Sequence, residues 1–584
     1  MFSHKACSSR PPMNQSPLDL PTELLFNICQ HLEPTDLLNV AKLCHQLNYI
    51  AIEVYMRRTA SPYPGRSCII RPGLRGHMDE LTALIINFPL VTMNELFCIF
   101  NTKQEWSAPE DHKHSSQMVE STWNIYRVTQ LINRLSSIRS LSLIITAWGS
   151  RWSLRSTTVQ EFLFAVIRLI ETTVSKGCTS LQILRFLPST KEGAYKFELV
   201  ERPNRPKIGK LWHFFREHLR STRENDTQLL HGDGWRYRKV CKLNTIRPSI
   251  LPLHSKLTKL DISCDVLLIP PFSTWTLGIM KCSPIISLRL SLPNIITKEE
   301  FRHYLFPRIL SSLPNLRSIE FVTLREGFLP IVIDGIHLLP YLQAITFGLS
   351  YYPILPPTSV LFASDLPHLT SFTGSSDQAA YIFGRLGFSC PNLQFVNIIV
   401  DVHFRRRLDY GAIAQNFHTF NARFSEMGIQ PCVSVCIANH GEPADVALMS
   451  TIGHHEHFFT VSRLTLELPS SLNDLEVPGT QYLIRYVLDW LRTFQGLKGL
   501  TLLHRHTSLD PSAPEVCPKS ISDAITRRYP DIVLFNIVNL PSKPMKYHYH
   551  WSNAHDDWER GTDGIVTMPF FEHKSTEPSV CSHF

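Results

Sequence analysis

Apolar residues recur along much of the chain as triplets at positions i, i+3 and i+5: Leu257/Leu260/Ile262, Ile285/Leu288/Leu290, Leu316/Ile319/Phe321, Leu342/Ile345/Phe347 and Leu393/Val396/Ile398. Leu369 and Phe372 form a reduced copy with Gly374 at the third position. Successive first anchors from Leu257 to Leu393 are 28, 31, 26, 27 and 24 residues apart. The i+3 and i+5 positions fall on one side of a strand, so each triplet predicts one short strand with a buried face. The recurrence predicts a parallel sheet, with the segments between strands returning along the other side. Lys298 to Leu310, Ala379 to Gly387, Tyr410 to Met427, Gln481 to Phe494 and Ser520 to Tyr529 have the length and spacing for such returning helices, and a last strand is expected over Ile532 to Val538.

Several copies share the same punctuation: Leu313-Pro314-Asn315, Leu339-Pro340-Tyr341, Leu366-Pro367-His368 and Cys390-Pro391-Asn392. Outlying triplets at Ile138/Leu141/Leu143, Leu181/Leu184/Phe186, Val461/Leu464/Leu466 and Leu497/Leu500/Leu502 extend the pattern over residues 131–540. These features resemble an irregular leucine-rich-repeat array that mostly lacks the Asn or Cys ladder of that family. The residues alternating with the anchors face outward: Lys259, Asp261, Ser287, Arg289, Ser318, Glu320, Ala344, Thr346, Ser371, Thr373 and Asn397. They are small or polar with mixed charge, which suits recognition of a protein target; Lys259, Asp261, Arg289, Ser318, Glu320 and Thr346 are the candidate contacts.

A different periodicity opens the chain after residues 1–17, a polar stretch without the apolar core of a signal peptide. Pro21 suits the first turn of a helix, and Leu24, Ile28 and Leu32 come next on one stripe. Pro34 stops that helix and Thr35 is placed to cap the next, whose stripe is Leu37, Leu38, Ala41 and Cys44. Leu47, Ile50, Ala51 and Val54 continue in a third helix. Residues 18–56 therefore predict a three-helix module too small to bury all its apolar side chains alone, and in need of a further surface in this chain or another.

The order Leu20-Pro21, Glu23-Leu24-Leu25, Ile28, Leu32, Pro34, Asp36-Leu37-Leu38 and Cys44 resembles the F-box, with Leu47 where that family often places a tryptophan. The resemblance implies docking on a Skp-family adaptor and, through it, a cullin. It also implies that Leu20, Pro21, Leu24, Ile28, Leu32, Leu37 and Leu38 form the adaptor-facing or supporting set. The expected fold is α/β: a three-helix F-box-like module, linking helices and a loop over residues 57–130, an irregular leucine-rich-repeat solenoid over 131–540, and a cap or tail over 541–584.

Composition is consistent with a folded chain: 43% hydrophobic and 18% charged over 584 residues, with 40 prolines against 25 glycines. The most apolar window, Leu81 to Phe100, is broken by Asn87, Pro89, Asn94 and Glu95, so a packed segment is expected there and no membrane partner. Fourteen cysteines show no regular framework, and reduced thiols in the cytosol or nucleus are expected.

The formal charge of +8 is local, since Lys191 to Arg247 holds fourteen Lys and Arg against seven Asp and Glu. Within this insertion, residues 190–248, Lys210 to Arg223 predicts an amphipathic helix carrying Arg216 and Arg220 toward solvent, where an acidic or phosphorylated segment would find partners. No nucleic-acid signature accompanies the charge, and no nucleic-acid partner is expected. Asn101 to Gln117 is polar and is expected as a loop.

The histidines at His454, His455 and His457, and at His548, His550 and His555, match no metal-site spacing, so no metal or cofactor is expected. There is no Walker loop, no dinucleotide fingerprint and no nucleophile elbow. The expected role is a non-catalytic substrate receptor of a ubiquitin ligase. The alternatives are an F-box-containing scaffold without a ubiquitination target, or an enzyme on a repeat scaffold.

Overall fold

In the computed structural model of the protein, the residues described are 20–58, 67–70, 77–101, 112–146, 157–186, 195–199, 235–239, 255–270, 272–292, 296–324, 327–348, 364–384, 388–401, 410–438, 461–467, 491, 494, 496–505, 523, 525 and 527–540. The chain divides into two compact units, Met1–Gly374 with Arg385–Leu393, and Ser375–Gly384 with Gln394–Phe584.

The first unit opens with three helices, α1 (Thr22–Cys29), α2 (Pro34–Val40) and α3 (His45–Arg58). Pro21 caps α1 from just outside it, and its carbonyl accepts the amides of Leu24 and Leu25 at 3.0 and 3.1 Å. Pro34 is the first residue of α2, so Thr35 lies inside the helix and makes no cap bond. Proline is tolerated at that position because its missing N–H has no helical partner to lose. Leu25, Cys29, Leu37, Leu38, Ala41, Ile50, Ala51 and Val54 form the module's core.

Strands and helices then alternate: β1 (Ser67–Ile70), α4 (His77–Ile86), β2 (Thr92–Asn101), α5 (His112–Arg134), β3 (Ser137–Thr146), α6 (Thr157–Ser175) and β4 (Ser180–Phe186). A two-stranded antiparallel ribbon of β5 (Tyr195–Leu199) and β6 (Trp235–Lys239) comes after them. Next are β7 (Lys259–Ile262), α7 (Phe272–Cys282), β8 (Ser287–Ser291) and a helix, α8, built of Lys298–Glu300, a π-turn over Phe301–Leu305, and Phe306–Ser312. The unit continues with β9 (Ser318–Thr323), α9 (Phe328–Ile336), β10 (Ala344–Phe347), β11 (Ser364–Asp365) and β12 (Ser371–Gly374). Its main sheet is parallel, in the order β1-β2-β3-β4-β7-β8-β9-β10-β12.

Two buried rows run across this sheet. Cys68, Leu96, Leu141, Leu181, Leu260, Leu288, Ile319, Ile345 and Phe372 stand in register, as do Ile70, Cys98, Leu143, Ile183, Ile262, Leu290, Phe321 and Phe347. The rings of Phe321 and Phe347 stack at 5.7 Å, and Phe347 meets Phe372 at 6.1 Å. Each fully buried aliphatic or aromatic anchor contributes about 1.5–3 kcal/mol by removal from water, so the rows carry much of the unit's stability.

The proline punctuation has one physical meaning in all its copies. Leu316, Leu342, Leu369 and Leu393 donate their amides to the carbonyls of Leu313, Leu339, Leu366 and Cys390 at 3.1–3.3 Å. Each is a β-turn with proline at its second position, closing just before the next strand.

Four expectations need correction. The triplet on β4 is Cys178/Leu181/Ile183 rather than Leu181/Leu184/Phe186: Leu184 pairs with Ile144 in a row between the anchor rows, and the first anchor is a fully buried cysteine. The ladder also begins before residue 131, since β1 and β2 lie in it and β2 carries its own triplet, Met93/Leu96/Cys98. Residues 112–117 belong to α5 and not to a loop. The helix expected from Ala379 to Gly387 is instead α10 (Ser376–Phe383), started by a reciprocal capping box between Ser375 and Gln378.

After β13 (Phe388–Ser389), which pairs with β11 in the first unit, the second unit holds β14 (Phe395–Asp401), α11 (Tyr410–Glu426), β15 (Cys432–Ala438), β16 (Arg463–Glu467), β17 (Gly499–Arg505) and β18 (Leu534–Leu540). These strands are parallel and adjacent in that order. Ile398, Val435, Leu464, Leu500 and Phe535 stand in register across them. Phe383 of α10 meets Phe424 of α11 edge-on at 5.2 Å. Lys210 to Arg223, the histidines at His454–His457 and at His548–His555, and the 541–584 tail lie outside the described residues.

Candidate functional site

Two surfaces of the first unit carry chemistry beyond packing. The first is on α1, which has apolar side chains on two sides. Leu25 and Cys29 point into the module, whereas Leu20, Leu24 and Ile28 are 37%, 48% and 50% exposed. A spacing of four residues puts Leu24 and Ile28 on one outward stripe of the helix, with the exposed Leu20 and Pro21 just before its start. Leu32 is half-buried, and Arg58 donates to its carbonyl.

Leu37 and Leu38 are buried, at 0% and 6% exposure, because α2 inserts them against α3. They hold the module together and offer no surface, so within the adaptor-facing or supporting set they take the supporting part. Of the stripe apparent in the sequence, Leu24 and Ile28 thus lie on the outer side of α1 and not its core-facing side, and Leu32 falls past the end of the helix.

The module is fastened to α4 by a residue that its apolar pattern hides. Asn48 on α3 is fully buried, and its side-chain amide donates to the carbonyls of Ala41 and Ile86, each at 2.8 Å. Its Oδ1 accepts the amide of Phe88 at 3.1 Å, so the side chain joins α2, α3 and the end of α4. Arg134 at the end of α5 caps the same end of α4, donating to the carbonyls of Leu84, Ile85, Asn87 and Leu90. A cation there also complements the negative end of the helix dipole. Burial lowers the pKa of this guanidinium, yet it stays charged, as arginine does in proteins.

The second surface is the outward face of the sheet. Parallel register brings Ser142, Gln182, Asp261, Arg289, Glu320 and Thr346 into one row across β3, β4, β7, β8, β9 and β10. Ser142 Oγ donates to Gln182 Oε1 at 3.0 Å, and Gln182 Nε2 to Asp261 Oδ2 at 2.9 Å. Arg289 bridges two acids, giving one N–H to Asp261 Oδ2 at 3.2 Å and its Nε–H to Glu320 Oε1 at 2.9 Å. Ser263 Oγ donates to Asp261 Oδ1 at 3.4 Å.

Burial pushes both carboxyls above their ordinary range, and the neighbouring guanidinium of Arg289 pulls them back only in part. The row is therefore a fixed strip of hydrogen-bonding groups whose two acids share one cation.

Of the outward residues expected from sequence, Asp261, Arg289, Glu320 and Thr346 fall in this row. Lys259 is exposed and Ser318 half-buried in the neighbouring row. Arg216 and Arg220 lie outside the described residues. Apolar periodicity misses Gln182 because it sets the β4 triplet three residues late, and placing Cys178 as first anchor turns Gln182 outward; Ser142 lies between Leu141 and Leu143 of a correctly placed triplet.

Among the described residues, no group of three or more His, Cys, Asp and Glu side chains is placed to hold a metal ion, and no helix is long and apolar enough to cross a membrane. A family model described as F-box-like matches residues 17–60, the segment that contains α1–α3. No curated protein matches the chain.

Proposed function

We propose that this chain is the substrate receptor of a Skp/cullin/F-box ubiquitin ligase, gripping a Skp-family adaptor through α1 and presenting a target protein on the outward face of its parallel sheet. The observation that carries this reading is the exposed set of Leu20, Leu24 and Ile28 on a segment that matches the F-box-like family. Apolar side chains about half exposed, as these are, gain about 1 kcal/mol each when a partner covers them.

The successive parallel strands, several of them entered through a proline turn, support an irregular leucine-rich-repeat solenoid as the carrier of the target. In this role the chain performs no bond chemistry of its own. It raises the local concentration of target beside a conjugating enzyme held elsewhere on the scaffold, in the cytoplasm or nucleus.

The test is co-purification of the full chain with a Skp-family adaptor and a cullin, beside an Ile28→Asp variant. Recovery of both partners by the native chain, and loss of both by the variant, is the expected outcome. Equal recovery of the adaptor by the two chains would remove the docking face from α1.

A further inference from the structure

Among the described residues, the row on the outward face of β7, β8 and β9 sets two carboxylates against one guanidinium. Asp261 uses both its carboxylate oxygens, one accepting from Ser263 and the other from Gln182 and Arg289. Glu320 accepts a single bond among the described residues, on Oε1 from Arg289. One guanidinium thus serves two carboxylates, and the side chain of Glu320 is 36% exposed to solvent.

Among the described residues, the neighbouring row does not supply a second cation. Lys259 stands on β7, two strands from Glu320 and so about 10 Å across the sheet, and it makes no ion pair with Glu320. Directly beside Glu320, Thr346 is half-buried, and the adjoining positions Ser318 and Ala344 are small. In these two rows β9 and β10 thus set no long side chain beside Glu320. A carboxylate held partly out of water beside small neighbours gains most from a donor that carries charge.

We propose that Glu320 is the anchor of a subsite for a Lys or Arg side chain of the target polypeptide, with Arg289 and Asp261 fixing the carboxylate's orientation from behind. This rests on the receptor role above and gives it a target chemistry: a basic segment lying across β8–β10. A phosphorylated or acidic segment would meet a surplus of negative charge at the same place. Since Arg289 is already bridged to both acids, its cation is committed to orienting the row.

The experiment is selection of a phage-displayed random dodecapeptide library on the immobilised full-length protein, with Glu320→Gln and Thr346→Arg variants in parallel. The native pool should be enriched in Arg or Lys over the input library. Glu320→Gln should cut recovery of the enriched peptides about tenfold, in the range seen when one member of a charge-assisted pair is lost. Thr346→Arg sets a competing cation beside the subsite and leaves Glu320 in place, so it should give the same loss even if Glu320→Gln proves unstable.

A native pool without basic enrichment, a pool rich in Asp or Glu, or basic peptides recovered equally by both variants would overturn the proposal. Capture of a Skp-family adaptor by the same native preparation separates the two ideas. Failure of that capture with basic enrichment intact removes the receptor role and leaves the subsite, and the converse removes the subsite alone.

Discussion

The side-chain amide of Asn48 donates a 2.8 Å hydrogen bond to the main-chain oxygen of Ile86, 38 residues further along the chain. Through that bond, and those to Ala41 and Phe88, the F-box-like helices are tied to α4 by polar contacts as well as by packing. The module is thereby held at a set position relative to the first strands of the sheet.

Asn48→Ala should destabilise the first unit by about 1–3 kcal/mol, since it leaves one buried carbonyl without this partner and removes the partner of a part-buried carbonyl and amide. Asn48→Asp should cost more, because two acceptor carbonyls would then face an acceptor-only carboxylate. Urea unfolding followed by circular dichroism measures both, and a midpoint unchanged in either variant would show that the contact does not bear on stability.

Leu24→Asp and Leu37→Asp separate surface from core within the same module. Leu24 is 48% exposed, so its aspartate variant should fold normally and bind a Skp-family adaptor at least tenfold more weakly, as expected on losing about 1 kcal/mol of apolar burial and adding the cost of covering an unpaired carboxylate. Leu37 is fully buried, so Leu37→Asp should unfold the module whether or not adaptor is present. Thermal unfolding together with a binding titration checks the pair; a folded Leu24 variant with native affinity would contradict the docking face.

What the sequence made legible was set by periodicity. The i, i+3, i+5 spacing located β7 through β10 and β14, because their anchors are aliphatic or aromatic and each pair of anchors faces one side. It failed on β4, where the first anchor is Cys178, and on β2, where Met93 and Cys98 flank Leu96. A small or sulfur-bearing side chain packs as well as leucine there but carries no strong pattern. On α1 the spacing found the stripe and not its direction, since Leu24 and Leu25 satisfy different periodic faces equally well. Asn48 was illegible for another reason: a buried amide fits no hydrophobic period, and its partners come from sequence-distant main chain.

Gly348 stands just after β10 at a close approach of two strands. Its amide donates to Phe321 O at 2.6 Å, and a Cβ at this residue would sit 1.9 Å from the main-chain oxygen of Val322. Gly348→Ala must separate β9 from β10 or bend one of them, at a cost of about 1–3 kcal/mol. Differential scanning calorimetry should show a lower melting temperature, and an unchanged one would mean that the strands part here without cost.

Asp261 makes stability depend on pH in a direction its burial determines. The folded state raises its pKa, so between the unfolded value, about 4 for an ordinary aspartate, and the higher folded value, the folded chain binds more protons than the unfolded one. Its favourable contribution is complete below that window and is lost as pH rises through it. Glu320 acts in the same sense, since it too is raised by burial. Asp261→Asn removes the titration while keeping a side chain of similar size in the row. The melting temperature of the native chain relative to this variant should therefore fall as pH is raised from about 4 toward neutrality. A difference that is flat with pH, or that grows in favour of the native chain, would mean that the Arg289 bridge outweighs desolvation and that Asp261 is ionised in the folded protein at no net cost.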